Sequence, residues 1–267
     1  GLRLATGQAS QLIGFAAGGV VVAAIGAHAA LLVDAGSFLV SAAVLRLVIA
    51  ARPPARGGRS LGGWRTGVAV VLRDPRLRQL LGYAWLVGAY VVPEGLAAPY
   101  AARFGGGPVA VGLLLASAPA GMLLGSVTFV RLLPASLRTR TVPVLAVAAG
   151  LPLIACALEP GLAVSMLLWG LSGALMAYQV FVMTEFVTYT QKQFRGQAIA
   201  FASSGMLAVQ GIGLLAGGAL TTLASAPAVV AGAGALGSAV AVLLAAAELR
   251  VRRRDVVVSG VGEPLPG

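Results

Sequence analysis

The chain has 267 residues, of which 58% are hydrophobic and only 10% are charged, and its formal net charge is +11. Water-soluble domains carry ~25% charged residues, and a single soluble core of this length could not enclose so much apolar surface. The composition excludes a water-soluble fold and indicates that the apolar excess faces lipid.

Eight apolar stretches are long enough to cross a bilayer, because a ~30 Å hydrocarbon core requires ~20 helical residues. In chain order they are Gln8–Gly26, Ala29–Ala50, Gln79–Ala102, Pro108–Leu133, Thr141–Leu158, Gly161–Tyr189, Gln197–Leu223 and Pro227–Leu249. The first two are separated only by residues 26–28, and we expect a helical hairpin there. The stretches are apolar on every face, which favours helices over an alternating β-barrel. The sequence predicts an all-α membrane protein with eight transmembrane helices.

The basic residues predict the orientation of these helices. If the Gly1 end is cytoplasmic, all of the 19 Lys and Arg residues except Arg103 fall on the cytoplasmic side. Cytoplasmic loops are enriched in Lys and Arg, so we expect both ends of the chain in the cytoplasm. The positive charge is thus a topology signal, with some attraction to the lipid bilayer, and does not indicate nucleic-acid binding.

A nine-residue pattern occurs twice, six predicted helices apart. Residues Gln11–Gly19 and Gln210–Gly218 both read Q-x-I-G-x-x-A-G-G. The pattern is either a coincidence in an Ala- and Gly-rich chain or the trace of a duplicated six-helix unit, as in transporters built from two related halves.

The residues inside this pattern suit helix packing. Gly14 and Gly18, and likewise Gly213 and Gly217, have the GxxxG spacing that lets helices approach closely in lipid. Gln11 and Gln210 occupy the same position in the two copies. We expect these two side chains to hydrogen-bond between the halves.

The duplication implies a division of the chain. Residues 1–50 would be the last two helices of an N-terminal half, 51–78 a basic cytoplasmic loop between the halves, 79–255 a complete six-helix C-terminal half, and 256–267 a disordered cytoplasmic tail. About four further helices are then expected upstream of Gly1. Within the loop, Leu61–Leu72 is predicted to form an amphipathic helix on the inner membrane surface.

Three acidic residues lie inside predicted spans, where an ionisable group costs ~2.5–3.5 kcal/mol and is a functional candidate by default. Glu94 follows Pro93, which should break the helix, so Glu94 could bind a proton or a cationic substrate; a helix-end acid or a partner of freed backbone groups is the alternative. Asp34 is a second candidate for proton coupling, with a structural hydrogen bond as the favoured alternative. Glu185 is a third candidate, and its alternatives are a cytoplasmic gate pair with Lys192 or Arg195, or a solvated side chain.

Four further side chains could line a substrate cavity. Tyr90, Trp169, Tyr178 and Gln179 offer ring faces and an amide, which suit partly cationic organic molecules; interfacial anchoring is the alternative for the aromatic residues. With one His and one Cys, no metal cluster is expected. No nucleotide-binding motif is recognisable, so no cofactor is expected.

Several of these segments carry a family resemblance: the Gln11–Gly19 helix, the span around Leu32–Leu39, the loop Val70–Arg78, and Val92–Gly95 followed by Pro99–Ala101. Together they resemble the major facilitator superfamily, in the branch of bacterial drug and siderophore exporters akin to the enterobactin exporter. The resemblance implies that the chain is equivalent to helices five to twelve of a twelve-helix fold in the plasma membrane. It also implies export of small organic molecules by proton antiport with alternating access, with the missing N-terminal helices as a partner.

This sequence departs from the family's sequence pattern at one loop. The second copy of the signature loop should lie at Gly125–Arg140, where Pro134 stands in place of the expected acid. A charge relay in this loop is therefore not expected.

Two other functions stay open: a non-transporting membrane subunit that pairs with another chain, and a membrane enzyme acting on lipids. The enzyme would need clustered acids or histidines at one face, so we predict that the chain is not an enzyme.

Overall fold

The computed structural model describes residues 2–48 and 64–260, and within them every regular element is helical. Seven helical stretches are long and apolar enough to cross a membrane. The first of them has 43 residues and consists of two consecutive helices. The predicted all-α, multi-pass membrane architecture is therefore confirmed.

Eleven α-helices lie in the described ranges, and all of them except α2 contribute to these stretches. They are α1 Leu2–Val48, α2 Trp64–Arg73, α3 Pro75–Trp85, α4 Val87–Tyr90, α5 Val92–Arg103, α6 Pro108–Leu132, α7 Ala135–Ala155 with a 3₁₀ turn at Cys156–Leu158, α8 Leu162–Leu175, α9 Tyr178–Tyr189, α10 Arg195–Leu220 and α11 Ala226–Gly260. Two membrane spans are interrupted. The third predicted span consists of α3, α4 and α5, and the sixth consists of α8 and α9.

The first element changes direction at one residue. Gly26 has φ 80° and ψ 162°, a left-handed region that glycine adopts without a steric penalty. The expected division of this apolar run is therefore present, and residues 2–25 and 27–48 are separate helices. The first of these packs against α6, where Gly19 meets Gly112. The second is largely exposed, with Leu32 at 75% and Leu47 at 86%.

The α2 helix corresponds to the predicted amphipathic helix, whose first three residues lie outside the described ranges. It buries Val71, and Gly67 packs closely on the backbone of Gln197 in α10. The chain then turns into α3, where the Asp74 carboxylate accepts hydrogen bonds from the backbone N–H groups of Arg76 (2.8 Å) and Leu77 (3.2 Å). This N-cap fixes the entry into the third span.

Small residues allow the closest helix contacts of the bundle. Gly121 and Gly125 of α6 lie so near the backbone of α8, at Gly170 and Ala174, that neither position has room for a Cβ atom. In lipid, small residues let helices pack backbone to backbone. The α6–α8 contact is therefore fixed by glycine rather than by large side chains.

Side-chain hydroxyls from three neighbouring helices bond to the backbone of α7. Tyr90 donates to the carbonyl of Ala146 (2.6 Å), Ser238 to Val147 (2.8 Å) and Ser172 to Ala149 (2.7 Å). These donors come from α4, α11 and α8. A polar side chain inside hydrocarbon must find a partner within the protein, so these three bonds determine how the helices meet.

The last helix extends further than expected. The sequence predicts its end near Leu249 and a disordered tail from 256, but α11 continues to Gly260. Residues 238–259 contain neither glycine nor proline, so nothing interrupts the helical hydrogen bonds there. The remainder of the predicted tail, 261–267, lies outside the described ranges.

Candidate functional site

The third span is interrupted beside Glu94, as the sequence predicts. The α4 helix ends at Tyr90 and α5 begins at Val92, with Pro93, which has no N–H group, in its first turn. Around the junction the backbone N–H of Glu94 donates to the carbonyl of Val91 (2.9 Å). The span therefore bends without unfolding, and the Glu94 side chain emerges at the bend.

The sixth span is interrupted at a matching place, and the two interruptions are joined. At the start of α9, the Tyr178 hydroxyl donates to the carbonyl of Tyr83 (3.2 Å) and the Gln179 amide donates to the carbonyl of Ala84 (3.1 Å). Both acceptors lie near the end of α3. Tyr178 is fully buried. These two predicted cavity residues thus hold the broken third span in position.

A small internal cavity of about 40 Å³ lies on the other side of the bend. Its walls come from α4, α5, α6, α7 and α8, and its lining residues are Val87, Tyr90, Val91, Pro93, Glu94, Leu115, Ala118, Leu153, Trp169, Ser172, Gly173 and Met176. Pockets for drug-sized ligands are ~300–1,000 Å³, whereas a water molecule needs only ~10–15 Å³ on this measure. The cavity has room for water and protons but not for an organic molecule.

Three residues predicted from sequence, Tyr90, Glu94 and Trp169, therefore share one cavity. The first is oriented by its bond to Ala146. The ring of Trp169 packs edge-on against Tyr100 at 5.3 Å between centroids. Glu94 is half-buried and has no ion-pair partner among the described residues. A carboxyl group without an ion-pair partner among the described residues thus lines the same cavity as two aromatic side chains.

Glu185 lies at one end of the bundle, which we call the arginine end because the first residues of α3, α7 and α10 bring Arg76, Arg138 and Arg195 there. Its carboxylate accepts from the Thr139 hydroxyl (3.0 Å) and pairs with Arg76, whose Nη2 is 3.5 Å from Oε2. The Arg76 guanidinium also lies 3.5 Å from the centre of the Tyr189 ring.

The partner of Glu185 differs from both candidates that the sequence offered. Lys192 is exposed in the loop after α9, and Arg195 donates to the Thr190 carbonyl (3.4 Å). Arg76 lies 109 positions away along the chain, so local spacing could not identify it. The pair joins α3 to α9, the two half-spans at this end.

A second ion pair lies at the opposite end of the bundle and was not predicted. Arg103, at the end of α5, places Nη2 2.8 Å from Oε1 of Glu159, in the turn after α7. Arg103 was the one basic residue predicted on the outer side. The sequence could have indicated this pair, because Glu159 is an acidic residue in a neighbouring loop that is predicted on the same outer side.

The remaining predicted residues do not join the cavity. Asp34 is exposed on residues 27–48, and only its backbone carbonyl accepts a bond, from Ser37 (2.7 Å). Gln11 is exposed on α1 and Gln210 is half-buried on α10, and these helices pack against different partners, α6 and α2–α5 respectively. Within the described ranges, no group of three His, Cys, Asp or Glu side chains could hold a metal ion.

The two glycine pairs behave differently. Gly213 and Gly217 pack against Gly88 and Val92 of the broken third span. Gly14 and Gly18 have open space around them, and Gly19 makes the contact in the first copy instead. The predicted packing role is thus seen for the second copy of the repeat.

These features define a multi-pass helical membrane protein with a carboxyl group at a helix break inside the bundle. Comparison of the chain with protein-family models, curated proteins and solved structures finds no match. Its function must therefore be argued from its own residues.

Proposed function

We propose that the chain is part of a secondary active transporter of the major facilitator type, which exports small organic molecules across the plasma membrane in exchange for protons. The observation that carries the proposal is the Glu94 carboxyl, which lines a water-sized cavity at the break of a membrane span. An ionised carboxylate inside a membrane costs ~2.5–3.5 kcal/mol. Binding a proton removes that charge, so proton exchange is the chemistry that this site supports best.

Because the cavity is small, the proton and the organic substrate would bind at different sites. A cavity of about 40 Å³ admits protons and water only, so the substrate would bind elsewhere, in the space between two six-helix halves. The α3–α11 unit would be one half, with the arginine end in the cytoplasm. The α1 helix would belong to the other half, and its contact with α6 would be part of the surface along which the halves rock.

Two features support the duplication behind this proposal. The repeated Q-x-I-G-x-x-A-G-G pattern lies in α1 and α10. Each copy also uses one or two of its glycines for a close helix contact, Gly19 on α6 and Gly213 with Gly217 on α4 and α5. Alternating access needs helices that pack closely and slide, and small residues at interfaces permit both.

The experiment is proton-coupled efflux from inside-out vesicles, using the whole gene product and ethidium as the probe, a planar organic cation. We expect Glu94→Gln to lower pH-driven ethidium transport at least tenfold, a loss of about 1.4 kcal/mol of coupling. Glu185→Gln is the matched control, because its carboxylate lies at the arginine end and outside the cavity. Unchanged pH-driven transport in Glu94→Gln would reject Glu94 as the proton carrier.

A second candidate function is a non-transporting subunit that pairs with another membrane protein. The exposed apolar surface of residues 27–48 favours it, because this segment has little contact with the rest of the described chain. Purification of the gene product from mild detergent distinguishes the two. A stable complex with a different membrane protein, together with the absence of efflux by either alone, would favour the subunit.

A further inference from the structure

A long apolar groove lies on the opposite face of the broken third span from the Glu94 cavity. Its volume is about 570 Å³, within the ~300–1,000 Å³ range of ligand sites. It is bounded by α3–α5, α10 and α11, and its lining residues are Trp85, Gly88, Ala89, Val92, Val209, Ile212, Gly213, Ala216, Gly217, Leu220, Leu223, Ala224, Ala228, Val229, Gly232, Ala233 and Leu236.

The packing of the surrounding helices explains why the groove exists. The α10 helix is drawn onto α4 by the contact of Gly213 with Gly88, whereas α11 is drawn onto α7 by the contact of Gly234 with Gly150. These contacts hold α10 and α11 to different helices, and α10 and α11 make few contacts with each other. A wedge of space is therefore left between them.

The groove is elongated. Its α10 wall runs along a single helical stripe from Val209 to Leu220, where α10 ends, and at ~1.5 Å per residue this stripe is roughly 17 Å long. A site of this length and volume suits an extended chain better than a compact molecule.

The walls offer only apolar contacts. Trp85 carries the one side-chain N–H group among the lining residues, and this group already donates to the carbonyl of Ala202 (3.2 Å). No lining side chain is charged. A ligand with polar groups inside the groove would lose its hydrogen bonds to water without replacement, so the occupant must be a hydrocarbon.

The mouth of the groove continues into the outer surface of the spans. Ile212, Leu223 and Leu236 line it and are 66%, 83% and 62% exposed. Ile212 and Leu236 belong to helices apolar enough to cross a membrane, where the surrounding solvent consists of lipid tails. A lipid tail can therefore enter from the side without crossing a polar region.

We propose that the groove between α10 and α11 is a binding site for one acyl chain of a bilayer phospholipid. The chain lies along the stripe of α10 and fills the wedge that separates α10 from α11. The site depends on the membrane location of the bundle and not on transport, so it stands independently of the function proposed for Glu94.

The test is retention of a phospholipid that carries a photoactivatable diazirine midway along one tail. The full chain is reconstituted with this lipid, transferred into detergent, washed and then irradiated, and the labelled peptides are quantified by mass spectrometry. We expect label to survive washing on peptides spanning residues 209–236, whereas label on lipid-facing Leu124 and Leu167 is washed out. Equal loss of label at all of these positions would overturn the proposal.

A variant pair sharpens the test. Gly232 lines the groove and has open space where a side chain would point, and Gly218 is equally open but lies outside the groove. Gly232→Phe should lower the retained label about tenfold, and Gly218→Phe should leave it unchanged. If Gly232→Phe does not fold, as judged by gel filtration, Ala216→Phe fills the same groove from α10 and replaces it. Full retention in the folded groove-filling variant would also contradict the proposal.

Discussion

The two copies of the repeat carry the same pattern but lie in different surroundings. In α10, Gly213 and Gly217 are pressed against α4 and α5 of the broken third span. In α1, the equivalent Gly14 and Gly18 face open space, and Gly19 alone packs closely, on Gly112 of α6. The comparison shows that the GxxxG spacing permits close helix packing. Whether the glycines actually pack closely depends on whether a partner helix lies beside them.

The difference also suggests where a partner would bind. If α1 belonged to a second six-helix half, the face that carries Gly14 and Gly18 would contact the counterpart of the broken third span. The exposed residues 27–48 would then be covered as well. This consequence follows from the proposed duplication, and it makes the two copies a matched pair for mutation.

The largest effect is expected at the second copy. A leucine in place of Gly213 has no room, because its Cβ atom would overlap the carbonyl of Gly88. Overpacking of this kind costs typically ~1–3 kcal/mol, and here we expect about 3 kcal/mol. Gly14→Leu, at the equivalent position, should change the stability of this chain by less than about 0.5 kcal/mol.

The measurement is the thermal unfolding midpoint of both variants in the same detergent. Equal destabilisation would show that α1 already has its partner in this chain, and would break the distinction between the copies. If Gly14→Leu lowers the unfolding midpoint only when further helices are co-expressed, the distinction between the two copies becomes sharper.

A smaller effect is expected where the first copy does make contact. A Cβ atom at Gly19 would lie 2.8 Å from the carbonyl oxygen of Pro108, so Gly19→Leu should push α1 away from α6. We expect a cost of about 1–2 kcal/mol, with the α3–α11 unit still folded. Limited proteolysis checks this, since released α1 should be cleaved first.

The equivalent position in the second copy provides the control. Gly218 has open space around it, so Gly218→Leu should leave the cleavage pattern unchanged. Cleavage of both variants throughout α3–α11 would contradict the separate release of α1.

The smallest effect on stability is expected from replacing the acidic residues Glu185, at the arginine end, and Asp34, on residues 27–48. Glu185 holds Arg76 and Thr139 at the arginine end, but the Arg76 side chain is 50% exposed, so the pair is screened by solvent. Glu185→Gln should cost about 0.5–1 kcal/mol, and the cost should shrink as salt is raised. Asp34→Asn, on exposed residues 27–48, should cost nothing measurable at any salt concentration. A larger loss for Asp34→Asn than for Glu185→Gln would contradict this ranking.

The local part of the architecture was predictable from sequence. The apolar runs set the spans, Gly26 set the division of the first element, and Pro93 set the break beside Glu94, because each of these depends on residues close together in the chain. The break before Tyr178 was not predicted, since it is held by bonds from Tyr178 and Gln179 to carbonyls about 95 positions away.

The candidate site was predictable only in part for the same reason. The rarity of charge inside a span identified Glu94, and aromatic character identified Tyr90 and Trp169. The partner of Glu185 and the small size of the cavity depend on how distant helices pack. The continuation of α11 past Leu249 was not predicted, because the apolar run that marks the span ends there, whereas the helix continues through charged residues without glycine or proline.

Infrared difference spectroscopy between acid and alkaline pH tests most directly whether Glu94 exchanges a proton inside the bundle, and it requires no substrate. Because other carboxyls also protonate at acid pH, we expect one component of the protonated-carboxyl C=O band to be lost in Glu94→Gln and to persist in Glu185→Gln and Asp34→Asn. A titrating band of undiminished intensity in Glu94→Gln would contradict the assignment of proton exchange to this residue.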